Sequence, residues 1–249
     1  FWEMSSYTDR TANERCVQDL GQAIEYQPTL SSAYALRGRV YDKSGRIDEA
    51  KTDFDVALKL KPNFSPTLVH RGQLYLKKNA PEEARKDFNR ALEVTPGYPL
   101  AHLCRAEIHL HFWRKGGKRI DSTDYANALA DLDSALKANP HYPEAIRLRG
   151  QIRLEAGDEQ KAFEDFARCR EIQPRDPILY NMIGTHFLSQ KKYRPAIEQF
   201  DRAITSNPRH PDSWSKRGIA RYALGEIEKA VVDWESACRI KPALRNLLE

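Results

Sequence analysis

One stretch of the chain concentrates residues that could do chemistry, "HFWRKGGKRIDSTDY" at positions 111–125. Two adjacent bulky aromatic residues, four basic residues and a Gly-Gly pair lie within its first nine residues. Glycine-rich loops that contain lysine often bind phosphate through backbone N–H groups. This stretch lacks the leading Gly at the required spacing, the Ser or Thr after Lys, and a preceding strand, so it is not such a loop. The chain also lacks a nucleophile elbow, and we predict that it is not an enzyme.

Histidine and cysteine are the other residues that could support a site. His102, His109 and His111 lie close together in the sequence, and His70 and Cys104 occupy equivalent positions of adjacent repeats, defined below. A zinc site needs about four converging ligands. His102 and His109 are seven residues apart, so they share one face of a helix at positions that usually pack in the core. We predict no metal and no cofactor.

The composition is typical of a globular chain. Apolar residues make up 41% of 249 residues, and 40 basic residues against 35 acidic ones give a net charge of +5. This balance argues against a dedicated nucleic-acid binder, although an RNA-binding or metal-binding regulator stays open as a third interpretation. No apolar run is long enough to span a membrane, so we predict no membrane insertion. Since the chain begins at Phe1 without Met, we expect a piece of a longer protein.

Prolines recur at a nearly fixed interval, and this spacing indicates the architecture. Seven of them are separated by 34, 34, 44, 34, 34 and 34 residues, namely Pro28, Pro62, Pro96, Pro140, Pro174, Pro208 and Pro242. Such a period is typical of a solenoid built from repeats. We number each repeat so that this proline is position 32.

Small and large residues recur in the same register. Position 8 is Gly38, Gly72, Ala106, Gly150, Gly184 and Gly218; position 20 is always Ala in the full repeats; position 24 is Phe54, Phe88, Leu132, Phe166, Phe200 and Trp234. Small residues let two helices approach closely, and the large residue fills the space between them. Proline at position 32 ends the second helix because it lacks an N–H group. Each repeat is therefore predicted to be a pair of antiparallel helices.

This pattern resembles the tetratricopeptide repeat (TPR) family, over roughly residues 10 to 242. The resemblance implies an all-α fold, an α-α superhelix in which a right-handed solenoid of antiparallel helix pairs forms a concave groove for partner peptides. We predict a single solenoid over residues 1–249. It comprises a half repeat at 10–30, full repeats at 31–64, 65–98, 99–142, 143–176, 177–210 and 211–244, a ten-residue insertion at 113–122 in the third repeat, and a terminal capping helix from 242.

One position departs from the usual apolar pattern of the family, and a second changes together with it. Position 7 is Arg in five repeats and Ile183 in the fifth, and position 23 is Asp in the same five repeats and Gln199 in the fifth. Because both charges are lost together, we predict an Arg–Asp pair that links the two helices of one repeat, such as Arg71 with Asp87. Pairing to the next repeat is less consistent with this joint loss.

The resemblance also predicts where a partner would bind. Positions 2, 5, 6, 9, 12 and 13 of the first helices should face the groove. The residues at these positions predict a mainly apolar surface with scattered polar side chains. We predict contacts to a protein or peptide partner with apolar anchors at Val69, Leu103, Glu107, Arg147, Gln151, Asn181 and Met182. Some family members bind the C-terminal tails of the chaperones Hsp70 and Hsp90 through a Lys/Asn/Arg clamp. Those clamp residues are absent here, which argues against that partner.

The thiols give an expectation about compartment. Cys16 and Cys169 occupy positions 20 and 27, where small residues pack, so buried thiols are expected. Repeats contact only their neighbours, so the cysteines are too far apart to form a disulfide framework. Reduced thiols and the lack of a visible targeting segment favour the cytoplasm.

The 44-residue interval places the opening stretch between the two helices of the third repeat. One interpretation is that the first helix continues for another turn, ends at Gly116-Gly117 and is followed by a solvated basic loop. The other is a contact surface for an acidic or phosphorylated partner, formed by Trp113, Arg114, Lys115, Lys118 and Arg119. The main prediction is a non-catalytic interaction scaffold or adaptor that uses its groove. The alternative is an assembly or self-association module that uses the insertion, and homo-oligomers stay open.

Overall fold

The computed structural model describes the backbone of residues 2–243 and the side chains of residues 11–243. Regular structure in this part of the chain is entirely helical, which confirms the predicted all-α class. The helices are α1 (Trp2–Tyr26), α2 (Ser31–Lys43), α3 (Ile47–Leu60), α4 (Ser65–Lys77), α5 (Pro81–Val94), α6 (Pro99–Lys115), α7 (Thr123–Ala138), α8 (Pro143–Glu155), α9 (Glu159–Ile172), α10 (Pro177–Ser189), α11 (Tyr193–Ser206), α12 (Pro211–Ala223) and α13 (Ile227–Ile240).

The chain forms two compact units, with the boundary between Tyr142 and Pro143. In the N-terminal unit α2 packs on α3, α4 on α5 and α6 on α7, and α1 packs on α2. In the C-terminal unit the pairs are α8 with α9, α10 with α11 and α12 with α13. Each pair is joined by a short turn, so its helices run antiparallel.

The contact between positions 8 and 24 explains the residues found there. A Cβ atom added to Gly150 would lie 2.6 Å from the Phe166 ring, closer than packed carbon atoms allow. In the third repeat a side chain is tolerated at this position, since Ala106 is paired with the smaller, non-aromatic Leu132, and both are fully buried. The two positions are thus matched in size, and this matching sets how closely the helices of a pair approach.

The predicted Arg–Asp pairs are present in the structure. Arg71 donates from Nε to Asp87 Oδ2 at 2.8 Å and from Nη2 to Asp87 Oδ1 at 2.7 Å. The same two-bond arrangement links Arg37 to Asp53, Arg105 to Asp131, Arg149 to Asp165 and Arg217 to Asp233. The carboxylates are nearly inaccessible to solvent, so these are shielded, charge-assisted bonds rather than surface ion pairs.

The guanidinium groups also bridge neighbouring repeats, which the sequence analysis did not anticipate. Arg71 Nη1 donates to Asp55 Oδ1 of the preceding repeat at 2.8 Å. The corresponding bonds at position 25 are from Arg105 to Asn89 and from Arg217 to Asp201. The hydrogen bond to Asp87 raises the pKa of Arg71 above its usual value, so this charge is permanent. One arginine therefore links the two helices of its own repeat to the second helix before them.

The insertion differs from the prediction at Trp113. Helix α6 continues through Lys115 and ends at Gly116, which confirms the interpretation with one additional turn. Trp113 is 1% exposed, its Nε1–H donates to the Arg119 carbonyl at 2.9 Å, and its ring contacts Tyr125. The prediction that Trp113 is a surface anchor is therefore wrong, because the indole closes the loop onto α7 from inside. Arg114, Lys115, Lys118 and Arg119 are exposed, as predicted for this loop.

Two further expectations concern the ends of the chain. Cys16 is exposed, contrary to the prediction, whereas Cys169 is fully buried. In the full repeats position 20 packs against the preceding helix, as Ala50 does beside Gly38 of α2. Cys16 lies on α1, the first described helix, so no described helix precedes it.

The predicted helix from 242 falls almost entirely outside the described residues. No helix of residues 2–243 has the length and apolar character that crossing a membrane requires.

Candidate partner-binding groove

The first helices of the C-terminal unit line an open cavity of about 510 Å³. Helices α8 and α10 provide two walls, and α12 contributes one lysine. The lining residues are Arg147, Gln151, Leu154, Glu155, Ile178, Asn181, Met182, Thr185, His186, Ser189 and Lys216. Four of the seven predicted groove residues are therefore brought together, namely Arg147, Gln151, Asn181 and Met182.

Helical spacing explains why these side chains share one surface. On α8 the lining residues Arg147, Gln151 and Glu155 are four residues apart, so they lie one above another on the same face. On α10 the residues Asn181 and Thr185 repeat this spacing. The face is polar along its length, and the apolar contribution comes from residues beside it, including Met182.

Arg147 is anchored by a carboxylate. Its Nε lies 3.3 Å from Asp176 Oδ2, an ion-pair distance, although this buried nitrogen makes no hydrogen bond to the described residues. Asp176 is itself fixed because its Oδ1 accepts a hydrogen bond from the Ile178 N–H at 2.9 Å and so caps α10. The cap orients Asp176, Asp176 holds Arg147, and the guanidinium forms part of the cavity wall.

A chain of hydrogen bonds connects α10 to α12. Thr185 Oγ1 donates to the Asn181 carbonyl at 2.7 Å, and the same oxygen accepts a hydrogen bond from Lys216 Nζ at 2.9 Å. Asn181 Oδ1 accepts from Ser213 Oγ at 3.2 Å. Burial lowers the pKa of Lys216, because desolvation disfavours its charged form. Asn181 thus ties the two helices together while its side chain still lines the cavity.

His186 lies near the C-terminal end of α10, at one side of the cavity. Its Nε2 is 3.3 Å from Glu159 Oε1, and its ring stacks edge-on against Phe163. Glu159 also accepts a hydrogen bond from Gln190 Nε2 at 2.6 Å. Polar and ring contacts within the unit therefore explain the position of the His186 side chain.

The predicted groove residues of the N-terminal unit behave differently. Val69 is fully buried in the core around Phe88, so the prediction that it contacts a partner is wrong. Leu103 is 7% exposed and offers little surface, and the same correction applies to it. Both occupy position 5, where an apolar side chain packs inward. Glu107, at position 9, is exposed.

Sequence reasoning did not single out two residues that line the cavity, Thr185 and Lys216. They are at positions 9 and 6 of their repeats, which the groove rule includes. Both positions belong to the predicted groove set, but the prediction concentrated on apolar contacts. A search for polar and charged residues at these positions would have identified both.

A second cavity, of about 500 Å³, lies between α5, α6 and α7 of the N-terminal unit. Four of its charged residues are paired with each other, since Arg105 binds Asp131 and Arg85 binds Glu82. His109, which also lines it, has Nδ1 3.2 Å from Asp124 Oδ1. These contacts account for most of its charges, and it contains none of the predicted groove residues, so it is not the main candidate site.

The remaining histidines and cysteines do not form reactive groups. His102 lies between two acceptors, with Nδ1 2.9 Å from Asp131 Oδ1 and Nε2 2.8 Å from the Pro96 carbonyl. No group of three metal-ligating side chains occurs in residues 11–243. Burial raises the pKa of the Cys104 thiol to about 12 and that of Cys169 to about 11, so neither forms a thiolate near neutral pH.

Comparisons with known proteins agree with this architecture. A family model described as "Tetratricopeptide repeat" matches residues 119–177 and 181–244, and two further models of that description match residues 31–64 and 65–98. Among curated relatives, tetratricopeptide repeat protein 33 of Xenopus laevis is 26% identical over 117 residues, 47% of this chain and 45% of the relative. Anaphase-promoting complex subunit 3 of Schizosaccharomyces pombe is 24% identical over 133 residues, 53% of this chain and 20% of the relative.

Solved structures show the same fold at low sequence identity. A tetratricopeptide repeat protein from Parabacteroides merdae has a TM-score of 0.75 and 22% identity, with 99% of this chain and 94% of that chain covered. The Cut9–Hcn1 hetero-tetramer of the anaphase-promoting complex has a TM-score of 0.76 and 14% identity, with 96% of this chain and 45% of that chain covered.

The matched segments span less than half the length of the two curated relatives described above. Proteins built from such repeats generally mediate protein–protein interactions and are generally non-catalytic. Matches to models of one family cover most of the six full repeats. The chain belongs to the tetratricopeptide repeat family.

Proposed function

We propose that this chain is a non-catalytic scaffold that binds a segment of a partner protein in the cavity of its C-terminal unit. The observation that carries the proposal is the convergence of Arg147, Gln151, Asn181 and Met182 on one cavity of about 510 Å³. Such a cavity is large enough for a few side chains of an extended peptide or a helix, and it combines apolar surface with fixed polar groups.

Similar proteins support the proposal. One solved structure, of YrrB, is described as a TPR protein with an unusual peptide-binding site; it has a TM-score of 0.55 and 20% identity, with 78% of this chain and 95% of that chain covered. The free thiols of the described cysteines are compatible with the reducing cytoplasm, where we propose that the scaffold works.

The alternative, self-association through the insertion, has less support. Its aromatic anchor, Trp113, is buried within the N-terminal unit, and Arg119 is paired with Asp121 at 2.9 Å. A groove contact can use residues that already line a cavity, whereas an insertion contact would depend on an exposed loop whose main apolar residue faces inward.

The proposal is tested by selecting peptides from a displayed library of random 12-residue sequences on the wild-type chain. Affinities of the enriched peptides are then measured by fluorescence anisotropy for wild type, Met182→Arg and Val232→Arg. Met182 lines the cavity, and Val232 is 57% exposed on α13 outside it, so the two variants carry a matched change. We expect Met182→Arg to weaken binding by about 30-fold or more and Val232→Arg to leave it unchanged. Equal affinity for all three proteins, or no enriched peptide, would contradict the proposal.

A further inference from the structure

Neighbouring repeats are joined by a recurring polar bridge, and one junction of the C-terminal unit lacks it. An arginine at position 7 of a repeat donates to position 25 of the preceding repeat, in the bonds from Arg71 to Asp55, from Arg105 to Asn89 and from Arg217 to Asp201. At the junction of the fourth and fifth repeats, position 25 is Ala167 and position 7 is Ile183. Neither side chain can donate or accept a hydrogen bond, so these two positions cannot form the bridge.

The same junction lacks a buried apolar residue. Position 28 lies on the second helix and is buried in four repeats, as Leu58, Leu92, Leu136 and Ile204. Leu92 shows the role of this residue, because it shares one core with Ala101 and Cys104 of the following first helix. In the fourth repeat position 28 is Arg170, which is exposed. The fourth repeat thus lacks both the acceptor and the apolar residue with which the second repeat holds the third.

The helices at this junction are correspondingly less closely packed. Helices α3 and α4, α5 and α6, and α11 and α12 pack closely across the junctions of their repeats, whereas α9 and α10, both described in full, do not. The first helices show the same difference, since α10 packs closely on α12 but α8 does not pack closely on α10. Contacts near the two ends of α9 span the gap, where Phe163 packs against the Phe187 ring and Arg147 lies beside Asp176.

Loss of these contacts weakens the coupling between the fourth and fifth repeats. Each repeat of a solenoid contacts its sequence neighbours, so the array bends junction by junction. A shielded hydrogen bond between charged groups and a buried leucine both stabilise such a junction. Where both are absent, the junction opens and bends at a lower free energy than its neighbours do. The cavity of about 510 Å³ lies at this junction, with Gln151 on one side and Met182 on the other.

We propose that the junction of the fourth and fifth repeats, weakened by the missing bridge, is a hinge that sets the width of the cavity. Bending there moves Asn181 and Met182 of α10 relative to Gln151 of α8. The junction of the fifth and sixth repeats keeps its bridge from Arg217 to Asp201, so α10 and α12 move together. The hinge itself is independent of the proposed function, whereas its use to fit the cavity to a partner segment rests on that function.

Distances between spin labels at equivalent positions compare this junction with the next one. Glu164→Cys and Glu198→Cys place labels across the junction of the fourth and fifth repeats, and Glu198→Cys and Val232→Cys place them across that of the fifth and sixth. All three residues are exposed and occupy position 22. The native cysteines that are not buried are replaced by Ser in every protein, namely Cys16 and Cys238. Pulsed electron paramagnetic resonance then gives the distance distribution across each junction in the full chain.

Three variants change the bridge itself. The triple variant Ala167→Asp, Ile183→Arg, Gln199→Asp installs the bridge together with the Arg–Asp pair. The double variant Ile183→Arg, Gln199→Asp is its matched control, because it installs the pair inside the fifth repeat but leaves Ala167 at position 25. Asp201→Ala has the opposite purpose, since it removes the acceptor of Arg217 from the junction of the fifth and sixth repeats.

We expect the wild-type distance distribution to be about twofold broader, or more, across the junction of the fourth and fifth repeats than across the next junction. The triple variant should narrow the first distribution, and its control should not. Asp201→Ala should broaden the second. Equal widths in the wild-type chain would overturn the hinge. A triple variant no narrower than its control, with helix content retained by circular dichroism, would overturn the missing bridge as its cause, and so would an unchanged distribution in Asp201→Ala.

The same labels separate the hinge from the proposed function. A peptide selected on the wild-type chain from the library described above should narrow the distribution across the junction of the fourth and fifth repeats, and Met182→Arg should abolish this effect. A peptide that binds without changing the distribution would overturn the fitting of the cavity by the hinge and leave the proposed function in place. Selected peptides that bind Met182→Arg normally would overturn the proposed function, while the widths measured without peptide would still decide the hinge.

Discussion

The residue at position 5 of a repeat has opposite roles in the two units. In the N-terminal unit this position is Ala35, Val69 and Leu103, and all three are buried. In the C-terminal unit it is Arg147, Asn181 and Ser215, and the first two line a cavity. The backbone position is equivalent, so the side chain decides the role. An apolar residue packs inward, and a long or polar one turns its polar end toward the groove.

This difference shows that the packing positions of a repeat and its binding positions are separable. The Arg–Asp pairs of positions 7 and 23 occur in both units, with the same bidentate geometry in Arg71–Asp87 and Arg217–Asp233. Only the surface that these pairs support changes along the chain. Substitutions at equivalent positions of the two units test this difference. The expected effects are given from the largest to the smallest.

Val69→Arg should produce the largest loss of stability. It places a charge without a partner in the core of the second repeat, at a cost of about 3–5 kcal/mol. Amide hydrogen exchange of α4 and α5 measures this local free energy of opening. Asn181→Arg, the same side chain at position 5 of the fifth repeat, is the control and should cost less than about 1 kcal/mol in α10 and α11. Equal losses at both sites would show that position 5 has one role throughout.

The second prediction concerns the pairs shared by both units. Asp87→Gln removes the bidentate partner of Arg71, which keeps only its bond to Asp55, and should cost about 2 kcal/mol through loss of shielded hydrogen bonds between charged groups. The double variant Arg71→Ile, Asp87→Gln reproduces the residues of the fifth repeat, Ile183 and Gln199, and should recover most of that loss. Hydrogen exchange of α4 and α5 reports both variants. Additive losses in the double variant would refute the pairing as the reason why both charges are absent from the fifth repeat.

A smaller effect is expected where the helices of a repeat touch. Gly150→Ala should destabilise α8 and α9 by about 1–3 kcal/mol, since its new methyl group would overlap the Phe166 ring. Adding Phe166→Leu should relieve part of this cost, as Ala106 and Leu132 coexist in the third repeat. Thermal unfolding followed by circular dichroism measures both. A single variant with wild-type stability would show that the helices of this pair are not held at close approach by glycine.

The smallest effect on stability is expected at Lys216. Because its pKa is lowered in the folded chain, the native state releases this proton before the unfolded state does. The stability of wild type relative to Lys216→Met should therefore rise as the pH increases through the lowered pKa toward about 10.4. At neutral pH Lys216→Met should be as stable as wild type or slightly more stable. A clear loss of stability at neutral pH would mean that Lys216 supports the fold rather than binding.

Much of the fold was predictable because contacts that recur in the repeats place similar residues at regular intervals in the sequence. The proline interval, the Gly/aromatic match and the joint loss at Ile183 and Gln199 each reflect one contact that recurs in the repeats. The bridges from Arg71 to Asp55 and from Arg105 to Asn89 were missed because position 25 varies among Asp, Asn, Ala and Glu. Its residues therefore do not repeat with the regularity that reveals a position.

The cavity was only partly predictable. Arg147 and Asn181 were identified from their positions, but the same rule wrongly placed Val69 and Leu103 at the surface. Position within a repeat fixes the direction of the Cα–Cβ bond, whereas exposure depends on how the rest of the side chain packs. Trp113 was misjudged for the same reason, since an aromatic residue in an insertion can as well close the loop from inside.

The central claim is that a partner segment occupies the cavity of the C-terminal unit. The most direct measurement is a crystal structure of the full chain bound to a peptide selected on it. We predict that the peptide lies against Asn181 and Met182. A peptide bound at the basic loop after α6, with the cavity of the C-terminal unit unchanged, would contradict the account.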